Sequence, residues 1–321
     1  VHVIAMDPYT GAILAMCSKP DYDPNEPPRN EVDALRQLMR IRLISDAYEP
    51  GSTFKILTAA AALDSGVTHP EEGFYCSGKV KVDGDTIRCW GNPHESESMA
   101  QALQNSCNPV FVELALRMGN ESFYAYLHSF GLGVKTNVDL QGEGSGILIP
   151  VRSVKNVDLA RIGFGQSVAV TPLQLLTAAC SVINGGRLMQ PYLLKEVLTH
   201  DGEVLQRTQP KVISRPISEQ TSMVMRDLLE QVVSIGGAKN AAIEGYRIGG
   251  KTGTAQVYKE GRIVRDEHIG SFLGFAPADD PKIALLVIVD EADTPVDYGG
   301  TTAAPFARQI LSDVLPYLGN S

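Results

Sequence analysis

The chain has 321 residues, 44% of them hydrophobic and 20% charged, proportions of a globular protein rather than a disordered or fibrous one. Twenty-eight Lys and Arg against 37 Asp and Glu leave a net charge of −9, which argues against a phosphate-tracking surface and a nucleic-acid partner. No apolar run approaches the roughly 18 residues of a membrane helix, and five cysteines are too few, and odd in number, for a disulfide scaffold.

VHVIAMDPYTGAILAM reads as strand, turn and strand from Val1 onward. The chain opens inside an element without an initiator Met or leader, so removal of a preceding segment is expected. Lys19 to Arg29 is rich in Pro and Asp and should lie outside a sheet, because proline lacks the N–H a ladder needs. STFKILTAAAALDSG, from Ser52, combines an N-cap candidate, four alanines and a stop at Gly66, which predicts a helix. Its apolar composition after Lys55 predicts burial on all sides.

Phe74 to Trp90 alternates around an Asp-Gly turn and predicts a β-hairpin. Helical patterns cover Met99 to Met118, Ser122 to Phe130, Thr171 to Ile183 and Glu219 to Ser234. RIGGKTGTAQVY, SFLGFAP and KIALLVIVDE follow as three strands, and Pro305 to Tyr317 reads as a closing helix. Short links between the strands imply antiparallel pairing, which the opening hairpin could join across the whole chain. The expected class is α/β of the α+β kind, an antiparallel sheet covered by helices.

Three elements carry chemistry. Ser52 and Lys55, at i and i+3 on the buried helix, share one face near its positive N-terminal end, where burial should push Lys55 toward a neutral amine; a capping serine with a snorkelling lysine is the plainer alternative. Ser106 and Asn108 in NSCNP interrupt a helical pattern before Pro109 and should project from a turn. Lys251, Thr252, Gly253 and Thr254 follow two glycines on a strand, where alternation would send Lys251 and Gly253 to one face and both threonines to the other. A twist or bulge would then be needed to gather them around one ligand.

S-x-x-K, S-x-N and K-T-G-T in this order are the motif set of penicillin-binding proteins and serine β-lactamases. With YEPGSTFK, SCNP, GFGQSVAVTPLQL, GGKTGTAQ and FLGFAP, the chain resembles the transpeptidase domain of class B penicillin-binding proteins, most of all the sporulation-specific type. The resemblance implies a five-stranded antiparallel sheet flanked by helices beside a helical subdomain. Residues 1–321 would form one transpeptidase domain, with the sheet part from 1–20 and 240–321 and the helical part from about 50–235. It further implies a peptidoglycan D,D-transpeptidase: Ser52 as nucleophile toward D-Ala-D-Ala stem peptides, Lys55 as general base, Ser106 as proton relay and Asn108 on the substrate amide. Lys251, Thr252, Gly253 and Thr254 would hold the substrate carboxylate, and the backbone N–H groups of Ser52 and Thr254 would form the oxyanion hole. The charge of Lys251 would help depress Lys55. β-Lactams would acylate the same serine, with no cofactor needed. Extracytoplasmic tethering through an N-terminal anchor and pedestal outside this chain, and a glycosyltransferase partner, are also implied.

A serine β-lactamase would need a base for deacylating water, for which Glu143 in the glycine-rich GEGSG is the nearest candidate. A D,D-carboxypeptidase or a non-enzymatic β-lactam or peptide sensor is the other alternative. Outside the shared motifs, Cys76 and Cys89 bracket the predicted hairpin and His94 follows. They could hold a structural zinc, pair as a disulfide or remain unlinked thiols, with Cys107 or an aspartate available as a fourth ligand. The five remaining histidines have no partner pattern and read as structural or solvated, Trp90 as hairpin packing, Cys17 and Cys180 as small core residues, and Asp290 to Asp293 as a solvated turn.

Overall fold

The computed structural model describes residues 1–259, 262–290, 292 and 298–318. Strands β1 (His2–Met6) and β2 (Ile13–Ser18) form the opening hairpin, and helix α1 spans Lys55–Asp64. Four short strands follow: β3 (Gly73–Cys76), β4 (Lys79–Val82), β5 (Asp85–Arg88) and β6 (Glu95–Ser98). Helices α2 (Met99–Gln104), α3 (Asn108–Ser129), α4 (Pro172–Ile183) and α5 (Glu219–Ser234) come next. Strands β7 (Gly249–Lys259), β8 (Arg262–Ala276) and β9 (Ile283–Asp290) and helix α6 (Gly299–Val314) complete the main frame.

The central sheet is five-stranded, in the order β7-β8-β9-β1-β2, and antiparallel throughout. Its closure is the long-range pairing of His2 with Ile288 through Met6 with Ala284. Strand β9 is buried from Ile283 to Val289 without alternation, as expected where helices cover both faces. The 19–29 loop stays outside the sheet. Because β7 is an edge strand, its outer side is open to the helices and to whatever lies between.

Helix α1 is buried from Lys55 to Ala62, so the absence of a polar face is explained by its position inside the helical layer. Ser52 is not its cap: Gly51–Phe54 forms a 3-10 turn, and no side chain caps either segment. The predicted helix over 99–118 is broken at residues 105–107 into α2 and α3, with Ser106 at φ 57°. A further kink at Gly119 (φ 72°) joins the 122–130 pattern onto α3. The 74–90 hairpin contracts to β4 and β5 around Asp83-Gly84, both at positive φ as a tight primed turn requires, nested inside a second ribbon of β3 and β6.

The closing helix begins six residues before Pro305, which lies inside it. A proline boundary misplaces this start because Gly299 is selected by packing instead: a Cβ there would lie 2.2 Å from Gly253 O and 2.3 Å from Ser271 O. Cys17, expected in the core, is exposed on β2, because β2 is the opposite sheet edge and its outer residues lack a covering layer. Cys180 is buried as expected. Asp293 lies outside the described residues.

Candidate active site

A cleft of about 820 Å³ runs along β7 and is lined by Ser52, Ser106, Asn108 and all four residues from Lys251 to Thr254. The sequence-predicted residues of the three motifs thus meet at one place; Lys55 lies beneath it, fully buried.

Glycine geometry presses the Ser52 turn against β7. Gly51 sits at φ 56°, and a Cβ on it would be 2.8 Å from Thr254 O. Gly165 of GFGQ docks behind the same turn: its O accepts from Gly51 N at 3.0 Å, and a Cβ there would fall 2.1 Å from Gly51 O. These close approaches admit only hydrogen at the α-carbon.

Lys55 Nζ lies 2.7 Å from Ser106 O and 2.7 Å from Asn108 Oδ1, with Ser52 Oγ at 3.2 Å and Ser106 Oγ at 3.1 Å. The amide orientation of Asn108 follows from its Nδ2 donating to Arg88 O at 3.1 Å. Burial lowers the Lys55 pKa to about 7, opposed by the nearby Cys89, Cys107 and Glu97. A neutral amine has two N–H donors and one lone pair. The two nearest partners can only accept, so they take both donors and leave the lone pair for the two hydroxyls. A proton-accepting nitrogen therefore faces Ser52 Oγ.

Lys251 is 1% exposed, and burial, then the adjacent Lys55, holds its pKa well below the usual lysine value. The two lysines repel one another, and for each of them burial is the larger cause of the lowered pKa. Two ammonium groups cannot both be stably charged there without an anion.

No bulge is needed to assemble the tetrapeptide. Lys251 to Thr254 pairs in regular register with Leu273 to Gly270, and the irregularity comes only after Gln256. Gly253 lets the strand pack directly against the Ser52 turn, since a Cβ would meet Ser271 Oγ at 2.6 Å and Thr53 Cγ2 at 2.9 Å. On the other side, Thr254 Oγ1 accepts from Gly299 N at 3.3 Å. The cleft lies over the strand's open edge, so residues of both faces border it.

Several cleft residues carried no signal in the sequence. Trp90 is 66% exposed at the wall rather than packed in the hairpin, and its Nε1 donates to Asn105 O at 2.8 Å. His268 and Tyr298 stand at the cleft with ring centroids 6.4 Å apart. Isolated aromatics have no spacing rule that could reveal such a placement. Glu143 is absent from the cleft; its carboxylate accepts from Thr136 N and Asn137 N, so it is held firmly, but inside its own loop.

Cys76, Cys89, His94 and Cys107 come together next to the site, with all four ligand atoms within 4.8 Å of one another. No disulfide joins them. Cys76 ends β3 and Cys89 follows β5, so the nested ribbons bring them together, and Cys107 occupies the middle of the SCN turn. Three thiols and an imidazole are a zinc-type donor set, and tetrahedral bonds of about 2.0–2.3 Å would draw the atoms only slightly closer. Cys89 is lowered to about 5 by a hydrogen bond from Cys107, whose own thiol that bond pushes up.

Residues 1–312 match the family described as penicillin binding protein transpeptidase domain. The chain is 45% identical over 319 residues to Stage V sporulation protein D of Bacillus subtilis (strain 168), covering 98% of this chain and 49% of that protein. It is 35% identical to penicillin-binding protein PbpB of Mycolicibacterium smegmatis, covering 98% and 50%, so it spans about half the length of these curated relatives. A structure of penicillin-binding protein 3 from Mycobacterium tuberculosis complexed with aztreonam superposes with a TM-score of 0.90 at 27% identity, covering 99% of this chain and 72% of that one. The transpeptidase domain of Burkholderia pseudomallei penicillin-binding protein 3 gives 0.84 at 27%, covering 99% and 88%. With these motifs gathered in one cleft, and with the fold and sequence in agreement, the chain belongs to the penicillin-binding protein transpeptidase family.

Proposed function

We propose that this chain is the catalytic domain of a peptidoglycan D,D-transpeptidase, and that residues 1–321 act as one domain with the sheet and helical parts bordering the cleft. The observation that carries the reading is buried Lys55, whose Nζ lies 3.2 Å from Ser52 Oγ. Ser52 Oγ attacks the carbonyl of the penultimate D-alanine while its proton passes to Lys55 Nζ. The developing oxyanion is received by the backbone N–H groups of Ser52 and Thr254. The C–N bond then breaks, and Ser106 relays the proton from Lys55 to the leaving D-alanine nitrogen. An acceptor amine attacks the ester, forms the cross-linking amide and returns the proton to Ser52.

Asn108 orients the substrate amide. Lys251, Thr252 and Thr254 hold the terminal carboxylate, whose charge supplies what the buried ammonium lacks, and Gly253 lets the strand pack closely against the Ser52 turn. A β-lactam enters by the same route and stays as an ester. Glu143, held outside the cleft, gives no support to a β-lactamase. Zinc on Cys76, Cys89, His94 and Cys107 would cross-link the ribbons to the SCN turn and take no part in acyl transfer. Stem-peptide substrates are supported by relatives named as peptidoglycan D,D-transpeptidases; extracytoplasmic tethering and a glycosyltransferase partner belong to the proposal as what the family resemblance implies. Among the described residues no helix is long and apolar enough to cross a membrane.

Intact mass after addition of a penicillin tests the reading, with Ser52→Ala as control. A persistent adduct absent from the control, together with cross-linking of D-Ala-D-Ala peptides, is the expected result. Rapid loss of the adduct would indicate a β-lactamase, hydrolysis without cross-linking a carboxypeptidase, and an adduct without either reaction a sensor.

A further inference from the structure

Glu97 is a buried carboxylate that the acyl-transfer steps do not use. It lies on β6, where its neighbours Glu95 and Ser96 are exposed and Glu97 alone among the four strand residues is buried. One oxygen, Oε1, has no hydrogen-bond partner and lies 3.6 Å from His94 Nδ1. The other, Oε2, accepts from Asn105 Nδ2 at 3.0 Å. A buried carboxylate with one oxygen unbonded is stabilised by nearby positive charge; Lys55 is one such group, and a cation in the Cys/His cluster would be another.

Asn105 opens the turn that presents Ser106. That turn is strained, since Ser106 is a non-glycine residue at φ 57°, a conformation held only by its surroundings. Its ties are specific. Trp90 Nε1 holds Asn105 O, Cys107 N donates to Ala102 O at 2.8 Å, and Lys55 Nζ holds Ser106 O. Glu97 adds the side-chain tie and is the residue that reaches both Asn105 and His94.

We propose that Glu97 is a positioning residue: one carboxylate oxygen clamps Asn105 and with it the Ser106 turn, while the other, on the side of His94, balances the charge of a metal in the cluster. The metal arm rests on the zinc reading above; the clamp does not. Occupancy of the cluster and the rate of acylation are then coupled through one side chain. Partners of this kind typically alter metal affinity ten- to a hundred-fold, and an ångström of misplacement near the reacting groups costs a comparable factor in rate.

Three variants separate the two oxygens. Glu97→Gln keeps an acceptor for Asn105 but removes the charge, so zinc affinity should fall about ten- to a hundred-fold, and excess zinc should restore acylation. Asn105→Ala breaks the clamp alone, so zinc affinity should match wild type while penicillin acylation slows about tenfold or more. Glu97→Ala should do both, with the acylation defect persisting in saturating zinc. Zinc affinity is read by chelator competition, His94 ligation by the visible spectrum of the cobalt-substituted protein, and folding by near-ultraviolet circular dichroism. Wild type that binds no zinc, with slow acylation still seen in Asn105→Ala and Glu97→Ala, would remove the metal arm and leave the clamp. Tight zinc binding with wild-type acylation in both would remove the clamp. Wild-type zinc affinity and acylation in Glu97→Ala would overturn the proposal, and loss of fold in that variant leaves the decision to Glu97→Gln and Asn105→Ala.

Discussion

The arrangement around Lys55 makes the pH dependence of acylation a stringent test. With a pKa of about 7, the amine that accepts the Ser52 proton is about one-tenth populated at pH 6 and about nine-tenths at pH 8. Acylation should therefore rise with a one-proton limb, centred near pH 7 in the second-order constant that reports the free site and carried into the first-order constant at saturating β-lactam. Lys251 acts on a different quantity. Its ammonium is disfavoured by burial in the free site but is needed to hold the ligand carboxylate. The second-order constant should consequently show an added fall as Lys251 loses its proton, absent at saturation because bound carboxylate keeps Lys251 charged. Stopped-flow acylation from pH 5.5 to 9.5 at several concentrations separates the two constants. Lys55→Arg, which cannot lose its proton, should slow acylation by about 10²–10⁴ at every pH. A rising limb near pH 10, or near-wild-type acylation in folded Lys55→Arg, would refute the neutral-lysine reasoning.

Gly253→Ala should impair both stability and acylation, because its Cβ would enter contact distance of Ser271 Oγ, Thr53 Cγ2 and Pro50 O; overpacking of this kind costs about 1–3 kcal/mol. Thermal unfolding and the acylation rate read the two effects, and unchanged values in both would show that β7 and the Ser52 turn are less tightly apposed. Glu143→Gln should leave the lifetime of the penicilloyl ester unchanged, because Glu143 is absent from the cleft lining and tied to Thr136 and Asn137. Mass spectrometry over hours checks it, and a clearly longer-lived ester would reinstate Glu143 as the base for water.

Elements with strong local signals were legible from the chain alone. The alanine-rich run from Lys55, the Asp83-Gly84 turn, the helix after Thr171 and the Glu219–Ser234 helix all form where periodicity and turn chemistry place them. Local rules failed where packing overrode them. Gly299 starts a helix ahead of Pro305 because only hydrogen fits against Gly253 O, and Ser52 lies in a 3-10 turn because Gly51 and Gly165 pin that turn to β7 and to the following loop. Glu97 was invisible in the polar run Glu95–Ser98 because burial of one strand residue depends on what covers it.

The chemistry available is written along the chain: a serine and a lysine one helical turn apart, a polar turn before a proline, a lysine and two threonines along a glycine-flanked strand, and thiols bracketing a hairpin. Covalent spacing encodes such local relations directly. Only the tertiary structure decided that β7 is an edge strand with its open side over the Ser52 turn, that both lysines are buried beside each other, and that Cys107 meets Cys76, Cys89 and His94. Those relations set desolvation and charge coupling, which depend on distances between residues tens or hundreds of positions apart. They convert a common capping pattern into a neutral amine facing a hydroxyl.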